Sequence, residues 1–141
     1  MSKIRVALIE DHDLTRVGIF KALQEQPEID LVGTAVNATE GLQMLLTTQP
    51  DVAIVDINLP DQDGIELTQQ IKKGLKTKVL ILTLREGKET VMAALAAGAD
   101  SYCLKNISLN DLLEALRVTV SGNTWIDPQI ADVLPSSDDK L

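Results

Sequence analysis

A small set of polar residues in this chain stands where apolar runs stop. Glu10 and Asp11 follow Ile-Arg-Val-Ala-Leu-Ile, Asp56 follows Val52-Ala53-Ile54-Val55, Thr83 closes Lys-Val-Leu-Ile-Leu-Thr, and Lys105 follows Ser101-Tyr102-Cys103-Leu104. Taken alone, Asp56 fits the start of a loop equally well, because Asp favours turns through local hydrogen bonds. Brought into one cleft, three carboxylates repel one another unless a cation or a proton intervenes. A hard divalent ion that takes oxygen ligands, water and a phosphate oxygen is the natural occupant, which describes Mg²⁺. Lys105 and Thr83 then suit the far side of an incoming phosphoryl group, one as a point charge and the other as a hydroxyl donor.

That chemistry requires elements that bring the strand ends together. Ile4–Ile9 reads as a strand, with Asp13 as N-cap of a helix carrying Val17, Phe20 and Leu23 on one stripe and stopping near Pro27. Leu31 to Val36 reads as a second strand, and a helix beginning at Thr39 places Leu42, Leu45 and Leu46 at i, i+3 and i+4. The run Val52–Val55, short, β-branched and continuous, reads as a strand buried on both faces. Turn chemistry follows in Leu59-Pro60-Asp61-Gln62-Asp63-Gly64, then Gly64, Leu67 and Ile71 mark a third helix. Lys78–Thr83 is the next strand. An alanine-rich helix over 86–97 is closed by Gly98 in the place a C-cap glycine favours. A short fifth strand, Ser101–Leu104, precedes a helix opened by Ser108 and Asp111 in a capping-box pattern and ended by Gly122.

Strands alternating with helices over short connections predict an α/β fold with a parallel sheet covered on both faces by right-handed crossovers. All carboxyl ends of such a sheet share one rim. If strand order reverses between the first and third strands, as in the order 2-1-3-4-5, Glu10, Asp11 and Asp56 meet at the switch point.

Composition narrows the function. At 141 residues the chain has room for one domain with a sizeable core. The net charge of −8, without a basic run, argues against gripping nucleic acid or an anionic membrane directly. Aromatic residues number three, Phe20, Tyr102 and Trp125, too few to sandwich a flavin or stack bases. Cys103 sits in an apolar stretch and reads as a buried, inert thiol, while His12 has no partners for a zinc site and reads as a solvent-facing loop residue. The N-terminus lacks a signal-peptide core and no segment approaches transmembrane length, so the cytoplasm is the expected compartment.

From about residue 3 to residue 122 the chain resembles a response-regulator receiver domain. The resemblance rests on Glu10-Asp11, the Val52–Asp56 strand end, the Leu59-Pro60…Asp63-Gly64 loop, Thr83, the Ala97-Gly98-Ala99-Asp100 turn, Tyr102 and Lys105. It implies a flavodoxin-like doubly wound sheet and phosphorylation of Asp56 by a sensor histidine kinase. It also implies Mg²⁺ held by Glu10, Asp11, Asp56 and the backbone carbonyl of Asn58. Such a chain accepts a phosphoryl group and loses it slowly; it is not a turnover enzyme. In the switch expected here, the Thr83 hydroxyl moves toward the phosphate and the Tyr102 ring turns into the vacated space. That movement alters the face made by the fourth helix, fifth strand and fifth helix, where Met92, Ala93 and Ala96 are expected to be exposed.

Asn106 departs from the family pattern, which places proline after the lysine with a cis bond between them. A cis bond before a non-proline residue costs about 2.5–4 kcal/mol, against ~0.5–1 before proline. Leu84 and Arg85, at family-variable positions past Thr83, either narrow the route of water to the phosphate or cap the strand. Residues 123–141 form an extension. Gly122–Pro128 and the Gln129–Leu134 segment resemble the exit from receivers that precede a helix-turn-helix DNA-binding domain. The polar run from Pro135 reads as the start of a tether to an output domain beyond Leu141, through which alone DNA is expected to be bound. A homodimer is compatible with this architecture, and no membrane contact is expected. Two alternatives remain at this level: a stand-alone receiver acting on a protein partner, and an aspartate-nucleophile phosphatase. The phosphatase wants a second carboxylate two residues after the nucleophile, and Asn58, an amide, cannot shuttle the proton. A nucleotide carrier fails because Gly74-Leu75-Lys76-Thr77 lacks the phosphate-loop spacing.

Overall fold

The computed structural model describes residues 3–133; Leu134 and the polar run 135–141 lie outside them. Along the chain come β1 (Ile4–Ile9), α1 (Asp13–Gln24), β2 (Ile29–Ala35), α2 (Ala38–Thr48), β3 (Val52–Val55) and α3 (Gly64–Gly74). There follow β4 (Lys78–Thr83), α4 (Lys88–Ala96), β5 (Ser101–Leu104), α5 (Leu109–Val120) and a 3₁₀ turn, Pro128–Val133. Every strand pair is parallel, in the order β2-β1-β3-β4-β5. This is the doubly wound, flavodoxin-like α/β architecture expected from the alternation of elements.

Side chains alternate across each strand, so one sheet builds two cores. Ala7, Ile9, Ala53, Val55, Val79, Ile81, Tyr102 and Leu104 face α2, α3 and α4, meeting Leu45, Leu67, Ile71, Val91 and Ala94. Val6, Leu8, Val52, Ile54, Leu80, Leu82 and Cys103 face α1 and α5, meeting Leu23, Leu112, Leu113 and Leu116. β3 is buried at all four residues, which is why its sequence contains nothing polar. Each large side chain so buried contributes roughly 1.5–3 kcal/mol. Cys103 is fully buried, and burial pushes its thiol pKa up, so it is held as an inert thiol.

Helix ends correct several sequence expectations. α1 is capped by His12, whose Nδ1 accepts from the Thr15 amide (3.4 Å); Asp13 is already helical and pairs with Arg16 (2.7 Å). An imidazole nitrogen offers the same lone pair as a capping oxygen, and an acid in the first turn still meets the positive helix end. His12 is therefore exposed as expected, but as a cap and not as a free loop residue. α2 starts one residue early because the Asn37 side chain caps it through the Glu40 amide (2.8 Å). β2 runs over 29–35, and α4 begins at Lys88 behind Gly87, which has no side chain with which to cap. At the end of α4, Gly98 adopts φ +106°; its amide reaches Leu95 and the Ala99 amide reaches Ala94. This paired closure is the reason for a glycine there. The same geometry at Gly122 (φ +96°) releases the chain from α5.

That released chain returns to the sheet. The Tyr102 amide donates to Trp125 O (2.9 Å) and the Asp127 amide donates to Tyr102 O (2.9 Å), so residues 125–127 lie parallel along the outer edge of β5. Ile130 is buried behind them. Among the described residues no helix is long and apolar enough to cross a membrane.

Candidate functional site

Register explains how the acids meet. β1 and β3 are neighbours with Ile9 opposite Val55, so Glu10 and Asp56 leave adjacent strands at one level. The Asp56 amide still donates to Ile9 O (3.1 Å), and the Glu10 amide to Ala35 O on β2 (3.0 Å). The chain leaving β1 enters α1 on one face of the sheet and the chain leaving β3 enters α3 on the other, which opens the crevice of a topological switch. Carboxylate oxygens of Glu10, Asp11 and Asp56 all lie within 4.8 Å of one another. Glu10 and Asp56 are buried, while Asp11 is exposed at the rim.

Lys105 joins them from β5. Two strand spacings, about 9–10 Å, separate β5 from β3, so only a long side chain can cross above β4. Its Nζ lies 2.8 Å from Glu10 Oε1 and 3.0 Å from Asp56 Oδ2. Burial alone would lower the lysine pKa, but its hydrogen bonds to Glu10 and Asp56 outweigh burial and raise it. The ammonium is therefore charged at any ordinary pH. Three carboxylates against one ammonium still leave excess negative charge in the cleft. Among the described residues no peptide bond is cis, so the Lys105–Asn106 bond is trans and the lysine reaches both acids in that geometry.

The two oxygens of Asp56 differ. Oδ2 is held by Lys105, whereas Oδ1 is buried with no hydrogen-bond partner among the described residues. A buried charged oxygen without a partner is costly. A hard cation that takes oxygen ligands fits this donor set: three carboxylates, one of them holding an unshared buried oxygen.

Residues with no assigned part in the chemistry hold the site in place, and of these Arg16 was not singled out in the sequence. Arg16 donates to the backbone carbonyls of Glu10 (3.1 Å) and Asp11 (3.4 Å), and the His12 amide donates to Glu10 Oε2 (3.0 Å). Gly64 packs so closely under Asp56 that a Cβ there would collide with the Asp56 carbonyl oxygen and sit 2.7 Å from Ile57 Cα. Asp61 accepts from the amides of Ala38 (2.8 Å) and Thr39 (2.9 Å) and from the Thr39 hydroxyl (2.8 Å). These bonds, the two backbone amides foremost, lower its pKa to about 2 and tie the β3–α3 loop to the start of α2. Asp61 and Gly64 showed in the sequence as turn residues, and Arg16, three residues past Asp13 on the first turn, carried the signal of an i, i+3 ion pair.

The cleft, about 390 Å³, is lined by Asp11, His12, Thr15, Asp56, Asn58, Leu84 and Lys105. Thr83 does not line it. Its buried hydroxyl accepts from the Arg85 amide (3.4 Å), and no hydrogen bond joins it to Asp56. Leu84 is largely exposed over the cleft. Arg85 extends its guanidinium to Asn58 Oδ1 (2.6 Å) and offers its carbonyl to the Tyr102 hydroxyl (2.6 Å). Tyr102 is fully buried, and burial pushes its pKa up to about 12. Met92, Ala93 and Ala96 are exposed on α4.

Comparison with known proteins agrees with this geometry. The family model of the response regulator receiver domain matches residues 6–117. The response regulator protein VraR of Staphylococcus aureus is 38% identical over 128 residues, covering 90% of this chain and 61% of VraR. The chain thus spans less than two thirds of that relative. A two-component response regulator of the LuxR family from Aurantimonas is 29% identical, with a TM-score of 0.87 over 93% of this chain and 94% of its own. The RcsB response regulator of Salmonella typhimurium, in a structure concerned with its DNA interaction, is 25% identical with a TM-score of 0.86 over 95% of this chain and 66% of its own. On the family match over most of its length and on these relatives, the chain belongs to the response regulator receiver domains of two-component systems.

Proposed function

We infer that this receiver accepts a phosphoryl group on Asp56 from a sensor histidine kinase. The observation that carries the reading is Asp56 Oδ1, buried and unpartnered beside Glu10 and Asp11. In the transfer, the Asp56 carboxylate attacks phosphorus in line through its other oxygen, Oδ2, the bond from phosphorus to the donor's leaving atom breaks, and an acyl phosphate forms on Asp56. Lys105, released from Asp56 Oδ2, neutralises a phosphoryl oxygen. Glu10, Asp11 and Asp56, with the Asn58 backbone carbonyl, are the residues that would hold Mg²⁺. Such an ion supplies charge neutralisation among the carboxylates and the phosphoryl oxygens. Thr83 then exchanges the Arg85 amide for a phosphate oxygen. Tyr102, whose hydroxyl is bonded to Arg85 O, reads that shift from below α4.

The relatives support an output through DNA interaction, the subject of the RcsB structure. Residues 1–122 act as the receiver, and 123–141 as the extension that connects it to a DNA-binding output domain. Phosphorylation acts by freeing or pairing that domain. Pairing has a candidate surface on α1, which exposes Leu14 (81%) and Val17 (59%) beside a groove of about 260 Å³ lined by Gly18, Ile19, Ile107 and Leu112. Because ridge and groove belong to one face, two copies can match them reciprocally across a two-fold axis. A stand-alone receiver acting through the α4–β5–α5 face is the alternative.

Intact mass after incubation with a small phosphodonor tests the transfer. Wild-type protein gains one phosphoryl group with Mg²⁺ and none with excess chelator, and Asp56→Asn gains none. Uptake indifferent to chelator, or undiminished in Asp56→Asn, overturns the reading.

A further inference from the structure

The lysine of the site is bracketed by a segment outside the five-helix fold. On one side, the buried Asp127 carboxylate accepts from the Leu104 amide through Oδ2 (2.9 Å). On the other, Asn106 and Gln129 form a reciprocal amide pair: Asn106 Nδ2 donates to Gln129 Oε1 (3.0 Å), and Gln129 Nε2 donates to Asn106 Oδ1 (2.8 Å). Both immediate neighbours of Lys105 are thus held by residues 127 and 129.

The ladder geometry shows why an acid stands at 127. The bonds from Tyr102 N to Trp125 O and from Asp127 N to Tyr102 O begin a parallel ladder, whose next bond would run from Leu104 N to the Asp127 carbonyl. That carbonyl is taken by the Ile130 amide of the 3₁₀ turn (2.9 Å). The Asp127 side chain stands in for it. Its other oxygen caps the turn at the Gln129 amide (3.0 Å), which sets Gln129 over Asn106. One carboxylate therefore lets the chain leave the sheet while β5 stays satisfied up to the residue before the lysine. The turn after Lys105 is closed by the Ile107 amide, which donates to Leu104 O (3.0 Å), and with no proline ring at position 106 the amide pair adds the second hold on it.

We propose that Asp127 and Gln129 are positioning residues for Lys105, forming a brace that fixes the lysine's two neighbours and so its aim across β4. The brace rests on the reading above only in what Lys105 does for phosphoryl transfer. The bracing contacts belong to the chain whatever the cleft accepts. Because the brace is also the path by which the chain leaves the domain, a lysine displaced by an incoming phosphoryl group pulls on that exit.

Asn106 and Gln129 are both exposed, so their replacement leaves the core intact. Gln129→Ala slows transfer from a small phosphodonor at saturating Mg²⁺ by about 10- to 100-fold, the scale of a misplacement near 1 Å, with the KM for the donor unchanged. Asn106→Ala gives the same loss, and the double variant no more than either, because the pair acts as a unit. The exchange Asn106→Gln with Gln129→Asn preserves the amide pair and restores the rate. Independently of any phosphodonor, Gln129→Ala shifts the ¹⁵N amide signals of residues 104–107 and leaves those of β1 and β3 in place. Additive losses, a failed rescue, or unmoved signals at 104–107 overturn the brace. A wild-type protein that takes no phosphoryl group sinks the functional reading, and the amide spectrum then decides the brace by itself.

Discussion

A buried polar atom left without a hydrogen bond costs about 1–3 kcal/mol, more when charged, and Asp56 carries such an atom at the floor of the cleft. At the scale of single residues, the site is a set of tolerated costs held in place by neighbours that have no chemistry of their own. Gly64 is the clearest of these. Its missing side chain is what lets the α3 start lie against the Asp56 backbone. Gly64→Ala therefore lowers stability by about 1–3 kcal/mol through overpacking, read as a lower urea midpoint at unchanged m. Gly18, inside α1, is the control: a methyl group added there would meet nothing within 4 Å. Gly18→Ala raises stability by roughly 0.5–1 kcal/mol, as for any free helical glycine. Equal midpoints for Gly64→Ala and wild type would contradict the close-contact account. In the sequence Gly64 shows as the end of a turn and the first position on a helical stripe. Periodicity reports which face a residue occupies, and a close approach to the backbone of Asp56 and Ile57 leaves no trace in it.

At the scale of elements, the central strands were legible because burial on both faces demands apolar runs such as Val52–Val55 and the interior of Lys78–Thr83, whereas the bounds of β2, an edge strand with a mixed, partly exposed sequence, were not. Helix starts were legible only where the cap is local. Ser108 caps α5 through the Asp111 amide (3.1 Å), as its spacing indicates. The α2 start draws a second cap from Asp61, 23 positions away from Ala38, and no local pattern contains that. Asp61 also gives an acid-range signature. Its pKa is depressed to about 2 in the folded protein, so its contribution is fully present above the unfolded value near 3.9 and is lost as pH falls through about 2. Denaturation midpoints of wild type and Asp61→Ala should differ at pH 5 and converge on acidification toward pH 2. A gap that persists unchanged at pH 2 would remove Asp61 from that role. Equally hidden were the β5-edge residues 125–127, because Trp125-Ile126-Asp127 is too short to declare a strand and depends on β5 for its only ladder.

At the scale of the whole molecule, the fold class and the meeting of Glu10, Asp11, Asp56 and Lys105 followed from one topological rule. A parallel sheet gathers its carboxyl ends on one rim, and reversal of strand order opens that rim into a crevice. What the chain does with Thr83 and Tyr102 was less legible, since both are buried and linked through the backbone of Arg85 and not to the acids. The charge of the molecule sets its limits with nucleic acid. A net charge of −8 with no basic run in the sequence leaves little positive surface to displace counterions from phosphates. In a gel-shift at moderate salt, this chain alone should retard no DNA duplex, whether phosphorylated or not. A retarded band would show that these residues recognise DNA themselves.

The central claim is the identity of the phosphoacceptor, and it is tested most directly by locating the modification. An acyl phosphate is reduced by borohydride to the corresponding alcohol, which converts an aspartyl phosphate into homoserine. After incubation with a small phosphodonor and Mg²⁺, reduction and peptide mapping by mass spectrometry should find homoserine at position 56 and at no other aspartate. Homoserine at Asp11 or at any other position, with Asp56 unaltered, would contradict the account.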